Sequence, residues 1–254
     1  MTAIVTIASS ISSLVVQSQP KNSENHPLQW EHLYQGVDFI QMEYGKWFKK
    51  GHLYAIKLSN TRKLRFLVDN KNITSLKDLE DKYKPLIVVN GGYFQENFLP
   101  SGLLKIKNKV IGQFNKSGGS GILAIKDQDV KIFHKKQINI YKNSYPDLMQ
   151  NGPLLVEKNG QMGIYADDHE YNARTAIGLT KDNKILIIVA DRAASPSLWE
   201  LSSLLTKEES KGGFACKSAI NMDGGPSTGL RINLPNKNIV VEESANIANG
   251  IGVF

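Results

Sequence analysis

The chain is short of the residues on which several kinds of chemistry depend. It has one cysteine, Cys216, in 254 residues, which excludes an intramolecular disulfide and any site built from several thiolates. Set between Phe214-Ala215 and Lys217, it reads as a small apolar filler. The five histidines, His26, His32, His52, His134 and His169, form no HxxxH, HxH or HExxH spacing, so zinc hydrolysis lacks its ligand set. Asp167-Asp168-His169-Glu170 gathers ligand-type residues, but consecutive side chains diverge, and the run reads as a polar loop. A lone magnesium or calcium on its carboxylates is the alternative. No GxSxG elbow, Walker loop or Rossmann glycine pattern occurs. Nor does any apolar run approach the roughly 18 residues that a membrane-spanning helix needs.

What is present is ordinary for a globular fold: 41% apolar residues, and a length that suits one large domain or two small ones. Lysine and arginine outnumber acids 31 to 24, giving a net charge of +7. The basic residues are scattered in small groups, such as Lys105, Lys107 and Lys109, with no aromatic-interleaved tract. A solvated surface explains them better than a nucleic-acid groove, so no nucleic-acid partner is expected. Residues 4 to 16 are mildly apolar but serine-rich, without a basic start. They read as a degraded or mis-started export signal, which would place the protein in a periplasm or outside the cell, or else as a disordered leader. Residues 1 to 32 are taken together as leader and linker, and 33 to 254 as one domain.

Within that domain short strands are broken by glycine and asparagine, and only two helices stand out, which predicts an α+β fold rather than a βαβ repeat. Strands are expected at Tyr54 to Leu58, Leu64 to Val68, Leu86 to Val89, Gly102 to Ile106 and Lys184 to Val189. A hairpin is expected around Asp127-Gln128-Asp129. Helices are predicted at Ser75 to Tyr83 and after Ser197, where Ser197-Leu198-Trp199-Glu200 has the capping-box pattern. Gly118-Gly119-Ser120-Gly121 leads into a strand rather than a helix and reads as a turn.

The informative features are corners. Apolar runs end in Asn90-Gly91-Gly92 and in Asn221-Met222-Asp223-Gly224-Gly225, where a polar residue leaves a strand and the chain turns without side chains, uncovering backbone N–H groups. Asn151-Gly152-Pro153 has the same outline. Taken singly, each is most simply a turn.

Taken together, Asn90-Gly91-Gly92-Tyr93-Phe94, Asn151-Gly152-Pro153-Leu154-Leu155, Arg174-Thr175-Ala176-Ile177-Gly178, Asn221 to Thr228 and Asn249-Gly250-Ile251-Gly252-Val253 resemble, in order, the motifs of the phosphodiester glycosidase domain. The resemblance spans roughly residues 50 to 254. It implies an α+β domain of mixed or antiparallel sheets with a central cleft, and an enzyme that cleaves the bond between a sugar anomeric carbon and phosphate without a cofactor or metal. The family often carries Asp-Gly-Arg where this chain has Ala190-Asp191-Arg192, so Asp191 is offset by one residue.

Under that resemblance, Arg174 is the candidate for holding phosphate, because its forked cation matches phosphate oxygens. Asp223 is the candidate carboxylate for an oxocarbenium-like centre, with Glu170 or Asp191 as a second member. Asn90, Gly91, Gly92, Asn151, Gly224, Gly225, Ser227, Thr228 and Asn249 are expected to bind substrate. Of the next two aromatics, Phe94 is expected in the core, while a ring at Tyr93 could stack on sugar. A non-catalytic module that binds phosphate-bearing glycans is the alternative reading.

Overall fold

A computed structural model describes residues 27–46, 49–59, 61–69 and 73–254. Three antiparallel sheets build it. The largest has the order β1 (Glu31–Tyr34), β2 (Val37–Lys46), β3 (Lys49–Leu58), β14 (Ile185–Ala190), β13 (Arg174–Thr180), β15 (Cys216–Asn221), β11 (Leu154–Glu157), β12 (Gln161–Met162). A second runs β7 (Lys109–Gly112), β6 (Leu104–Ile106), β10 (Asp147–Asn151), β8 (Gly121–Lys126), β9 (Asp129–His134). The third runs β17 (Lys237–Val241), β16 (Leu230–Leu234), β5 (Ile87–Asn90), β18 (Asn249–Val253), β4 (Leu64–Val68). Every strand pair is antiparallel, so the expected mixture of directions resolves to one.

Side-chain alternation assigns each face. In β14, Ile185, Ile187 and Val189 join the core shared by the three sheets, whereas Leu186, Ile188 and Ala190 pack on the opposite face. That opposite face is covered by Leu201 and Leu205 of α3 (Leu198–Thr206) and by Phe214. A strand buried on both faces reads as a continuous apolar run, which is why Ile185 to Ala190 carries no polar residue. In the third sheet, Val88 of β5 instead meets Leu76 and Leu79 of α1 (Leu76–Tyr83), while Ile87 and Val89 face the shared core. Both α1 and α3 start with a capping box, Ser75 with Asp78 and Ser197 with Glu200, as the sequence pattern requires. A third helix, α2 (Ile138–Tyr141), is a single turn too short for a periodic signal.

Two expectations change here. The folded part starts before residue 33, because β1 opens at Glu31 and both Leu28 and Trp30 pack against the α3-side core. The apolar stretch 4–16 lies outside the described residues. Gly118-Gly119-Ser120-Gly121 is more than a turn: a Cβ on Gly119 would overlap the backbone of Asn151, and Ser120 Oγ accepts from Leu154 N at 3.0 Å. The run is glycine-rich because it is pressed against the Asn151-Gly152-Pro153 corner.

The β8–β9 hairpin closes on Asp127-Gln128 as expected, with Asp129 already paired to Lys126. Cys216 is buried with its thiol pushed up to about 12 by desolvation, which suits a filler and not a nucleophile.

Candidate active site

Five strand ends meet at one edge of the sheets. β5 closes at Asn90, β10 at Asn151 and β15 at Asn221, while β13 opens at Arg174 and β18 at Asn249. Antiparallel pairing puts each opening beside a closing, with Ala176 opposite Asn221 and Gly250 opposite Asn90. A polar residue at a strand end is the one place where the ladder no longer uses its neighbours' backbone groups, and the asparagines take those groups up.

Asn90 is fully buried and ties three segments together. Its Nδ2 donates to Asp223 O at 2.7 Å, and its Oδ1 accepts from Thr175 Oγ1 at 2.6 Å and Gly229 N at 3.3 Å. Asn249, also buried, accepts from Gly92 N at 2.6 Å and returns a donor to Gly92 O at 3.3 Å. Gly91 must lack a side chain, since a Cβ there would overlap Asn249 Oδ1. Asn151 is buried too; its Oδ1 faces Tyr93 N at 3.5 Å and its Nδ2 faces Met222 Sδ at 3.4 Å. All three asparagines expected to touch substrate thus spend their side chains on the protein.

The Asp223 corner rests on this frame. Asp223 N donates to Gly91 O at 3.0 Å, Met222 N to Thr175 O and Gly225 N to Ala173 O, each at 2.8 Å. Gly224 N caps the Asp223 carboxylate at 2.9 Å. Burial raises the carboxyl above the ordinary carboxylate value, and the Ser227 hydroxyl and Gly224 N–H pull partly the other way. Ser227 and Thr228 are buried behind the corner, whereas a Cβ on Gly225 would meet open space.

Arg174 stands on the same side, its Cδ 4.0 Å from where a Gly224 Cβ would lie. Its guanidinium donates to Pro196 O at 3.2 Å and Glu170 O at 2.7 Å, and among the described residues it makes no ion pair. Burial lowers its pKa, while Tyr93, Asp168 and Glu170 act in the other direction. An arginine stays protonated under such shifts.

The hydroxyl of Tyr93 feels both charges, Asp223 and Arg174, and is pushed up to about 12, mainly by desolvation. Asn221 Nδ2 donates to it at 2.7 Å. Neither Asn221 nor Thr175 was assigned a role from sequence. Asn221 ends an apolar strand as Asn90 does, a signal that was there to read, whereas Thr175 is an ordinary strand residue with none.

The other candidate acids have contacts of their own. Asp191 accepts from three backbone N–H groups, His52 at 2.9 Å, Ala193 at 2.9 Å and Ala194 at 2.8 Å, and so pins a loop. Glu170 is exposed and meets Arg174 through its carbonyl. Asp167 and Asp168 close turns onto His169 N and Glu170 N, and among the described residues no cluster of three or more His, Cys, Asp or Glu side chains forms. Phe94 stacks on Phe98 with ring centres 5.1 Å apart, half-buried instead of in the core. A separate groove of about 480 Å³ between β9 and β11 is lined by none of the candidate site residues.

The family model for phosphodiester glycosidases matches residues 83–254, from the end of α1 to the last residue, and so takes in all five strand ends. The chain belongs to the phosphodiester glycosidase family. No curated protein sequence is significantly similar to it. Among solved structures, the zebrafish N-acetylglucosamine-1-phosphodiester alpha-N-acetylglucosaminidase catalytic domain, auto-inhibited by its pro-peptide, is similar at 15% identity with a TM-score of 0.63, covering 92% of this chain and 94% of that one. A hypothetical protein from Synechocystis is similar at 16% identity with a TM-score of 0.66, covering 91% of this chain. This chain spans 64% of the length of the Synechocystis protein. At these identities the likeness shows a shared fold, and phosphodiester glycosidases of this fold share the antiparallel architecture described above.

One consequence of the frame is testable without substrate. Gly91→Ala is expected to cost about 1–3 kcal/mol, the usual range for forcing atoms into a packed site, because Asn249 can yield only by giving up Gly92. Denaturant titration of both proteins measures it, and an unchanged midpoint would contradict the close contact.

Proposed function

We propose that this phosphodiester glycosidase hydrolyses the bond between the anomeric carbon of a sugar and the phosphate of a phosphodiester, with Arg174 holding the phosphate and Asp223 serving the sugar carbon. The observation that carries this reading is a buried guanidinium satisfied only by carbonyls, beside a carboxylate from which it is not ion-paired. Asp168 and Glu170 act on this cation through charge alone, and a phosphodiester supplies a hydrogen-bonded anion in a geometry that a fork of N–H donors matches.

The single negative charge of a diester would repel Asp223, and Arg174 offsets that repulsion while bringing the anomeric carbon to the carboxylate. As the C–O bond breaks, positive character develops on the sugar, which an ionised Asp223 stabilises or traps. The departing phosphate is a far weaker base than a sugar alkoxide, so it needs little protonation to leave. That difference allows a single carboxylate where ordinary glycosidases use two, and it fits an Asp191 already engaged by three backbone N–H groups. Asn90, Asn151 and Asn249 act as positioning residues that fix the corner, and the open space beside Gly225 gives substrate its access.

The decisive experiment is hydrolysis of sugar phosphodiesters in water carrying heavy oxygen, with products weighed. Label in the sugar supports cleavage at the anomeric carbon; label in the phosphate alone makes the protein a phosphodiesterase and ends the proposal. Arg174→Ala is expected to lower kcat/KM by about a hundredfold or more, as loss of a charge-assisted bidentate contact does. Arg174→Lys is expected to recover only part, since an ammonium cannot reproduce the fork. Full activity in either variant would take Arg174 out of the site.

A further inference from the structure

Tyr93 is a side chain at the corner whose hydrogen-bonding capacity is not used up, and it differs from Asn221 Oδ1 and Thr228 Oγ1, unpaired among the described residues, in being partly exposed. Its backbone is fixed on both sides, the N–H facing Asn151 Oδ1 at 3.5 Å and the carbonyl accepting from Ser101 N at 2.9 Å. The ring is partly exposed, at 37%, while the hydroxyl reaches inward to Asn221.

The direction of that contact is settled by Asn221's other neighbours. The Asn221 atom that meets the Tyr93 hydroxyl also lies 2.8 Å from Met222 O and 3.3 Å from Gly152 O. Two carbonyl oxygens can face only a donor, so this atom is the amide nitrogen and the tyrosine oxygen must accept from it. A phenol that accepts still has its own proton to give. Among the described residues no acceptor takes it. That proton is therefore free to turn toward an incoming acceptor, and the hydroxyl is within electrostatic reach of both Arg174 and Asp223.

We infer that Tyr93 is a substrate-contacting residue whose hydroxyl donates a hydrogen bond to a phosphate oxygen of the bound diester beside Arg174, and keeps its proton throughout the reaction. This rests on the phosphodiester reading above and adds the second phosphate donor to it. Asp223 already accepts from Gly224 N, whereas a bound phosphate brings acceptor oxygens of its own. Proton transfer, as opposed to hydrogen bonding, is excluded by magnitude. The phenol is pushed up to about 12, whereas a phosphate monoester takes its second proton near a pKa of about 6. Full transfer would run uphill by about six pKa units. The high value serves a different end, since it keeps the donor protonated at every pH where the enzyme would work.

The test is Tyr93→Phe, which removes one oxygen and leaves the ring. For a sugar phosphodiester, kcat/KM is expected to fall about ten- to a hundredfold, the range for a hydrogen bond to a charged group. The ratio of wild-type to variant rates is expected to stay level from acid to mildly alkaline pH, which a purely structural defect or a proton-transfer role would not give together with an unchanged melting temperature. Affinity for inorganic phosphate, read by calorimetric titration, is expected to weaken by a similar factor. Wild-type turnover and wild-type phosphate affinity in the variant overturn the inference and leave the hydrolase reading standing. A rate ratio that changes steeply with pH overturns the claim that the proton is kept. If the wild-type protein cleaves no diester, the function proposed above falls, and the phosphate titration alone then decides Tyr93: equal affinities in the two proteins refute it.

Discussion

Asp223→Asn is expected to lower kcat/KM for a sugar phosphodiester by about a thousandfold or more, in line with the loss of a catalytic side chain, while the melting temperature holds or rises. The two halves have one cause. Burial lifts the Asp223 carboxyl above its ordinary value, which means that the folded protein holds the proton more tightly than the unfolded chain does. The stability this gives is fully present below the unfolded pKa and is lost as pH rises through the raised folded one. At neutral pH the ionised carboxylate therefore weakens the fold. An asparagine removes that charge and still offers an oxygen to Gly224 N, which lies 2.9 Å away. The same shift fixes the acid limb of the wild-type rate profile: activity falls as Asp223 becomes protonated, at a pH above that of an unperturbed aspartate. Thermal melts and rate profiles of the two proteins check this. A variant that keeps wild-type turnover, or that melts several degrees lower, contradicts the assignment.

Asn90→Ala is expected to cost about 3 kcal/mol, because a buried donor and two buried acceptor contacts are lost together. It is also expected to abolish turnover, although Asn90 is fully buried and touches no substrate in the proposed arrangement. Its amide is what holds Asp223 O at 2.7 Å, Thr175 at 2.6 Å and Gly229 N at 3.3 Å in one place. Removing it frees the carboxylate's own backbone from β13 and β5. Denaturant unfolding gives the stability loss. If Asn90→Ala unfolds like wild type, the frame does not depend on this residue. If it unfolds early but turns over normally at low temperature, the frame does not govern the chemistry.

Much of this was legible before any coordinates. The capping boxes at Ser75 and Ser197, the β8–β9 hairpin and the Leu64–Val68 strand are local, set by residues a few positions apart, and they form where the sequence places them. The family was legible because five motifs keep their order. The short helix α2 was not, since one turn is too brief for a period. Nor was the start of the domain, because Leu28 and Trp30 are apolar residues in a polar stretch that only find partners across the α3 side.

Side-chain roles at the corner divide in the same way. Sequence named Asp223, Arg174 and the asparagines as polar residues at strand ends, which is a statement about one dimension. It assigned the asparagines to substrate through the family resemblance, whose motifs are expected to line the cleft by default. Burial reverses that default: an amide enclosed at the meeting of three sheets must satisfy itself on the nearest backbone, and so it becomes part of the frame.

By itself, then, the amino-acid order determined where the two capped helices and the β8–β9 hairpin form and which family the chain enters, because those depend on short motifs and their order along the chain. Only the tertiary structure decided that five strand ends coincide, that Arg174 is buried without an ion-pair partner among the described residues, that Asp191 is spent on a loop, and that a tyrosine hydroxyl comes within reach of both the cation and the acid. Those facts belong to contacts between residues as far apart as Asn90 and Asp223, whose meeting is fixed by the pairing of whole sheets and leaves no local trace.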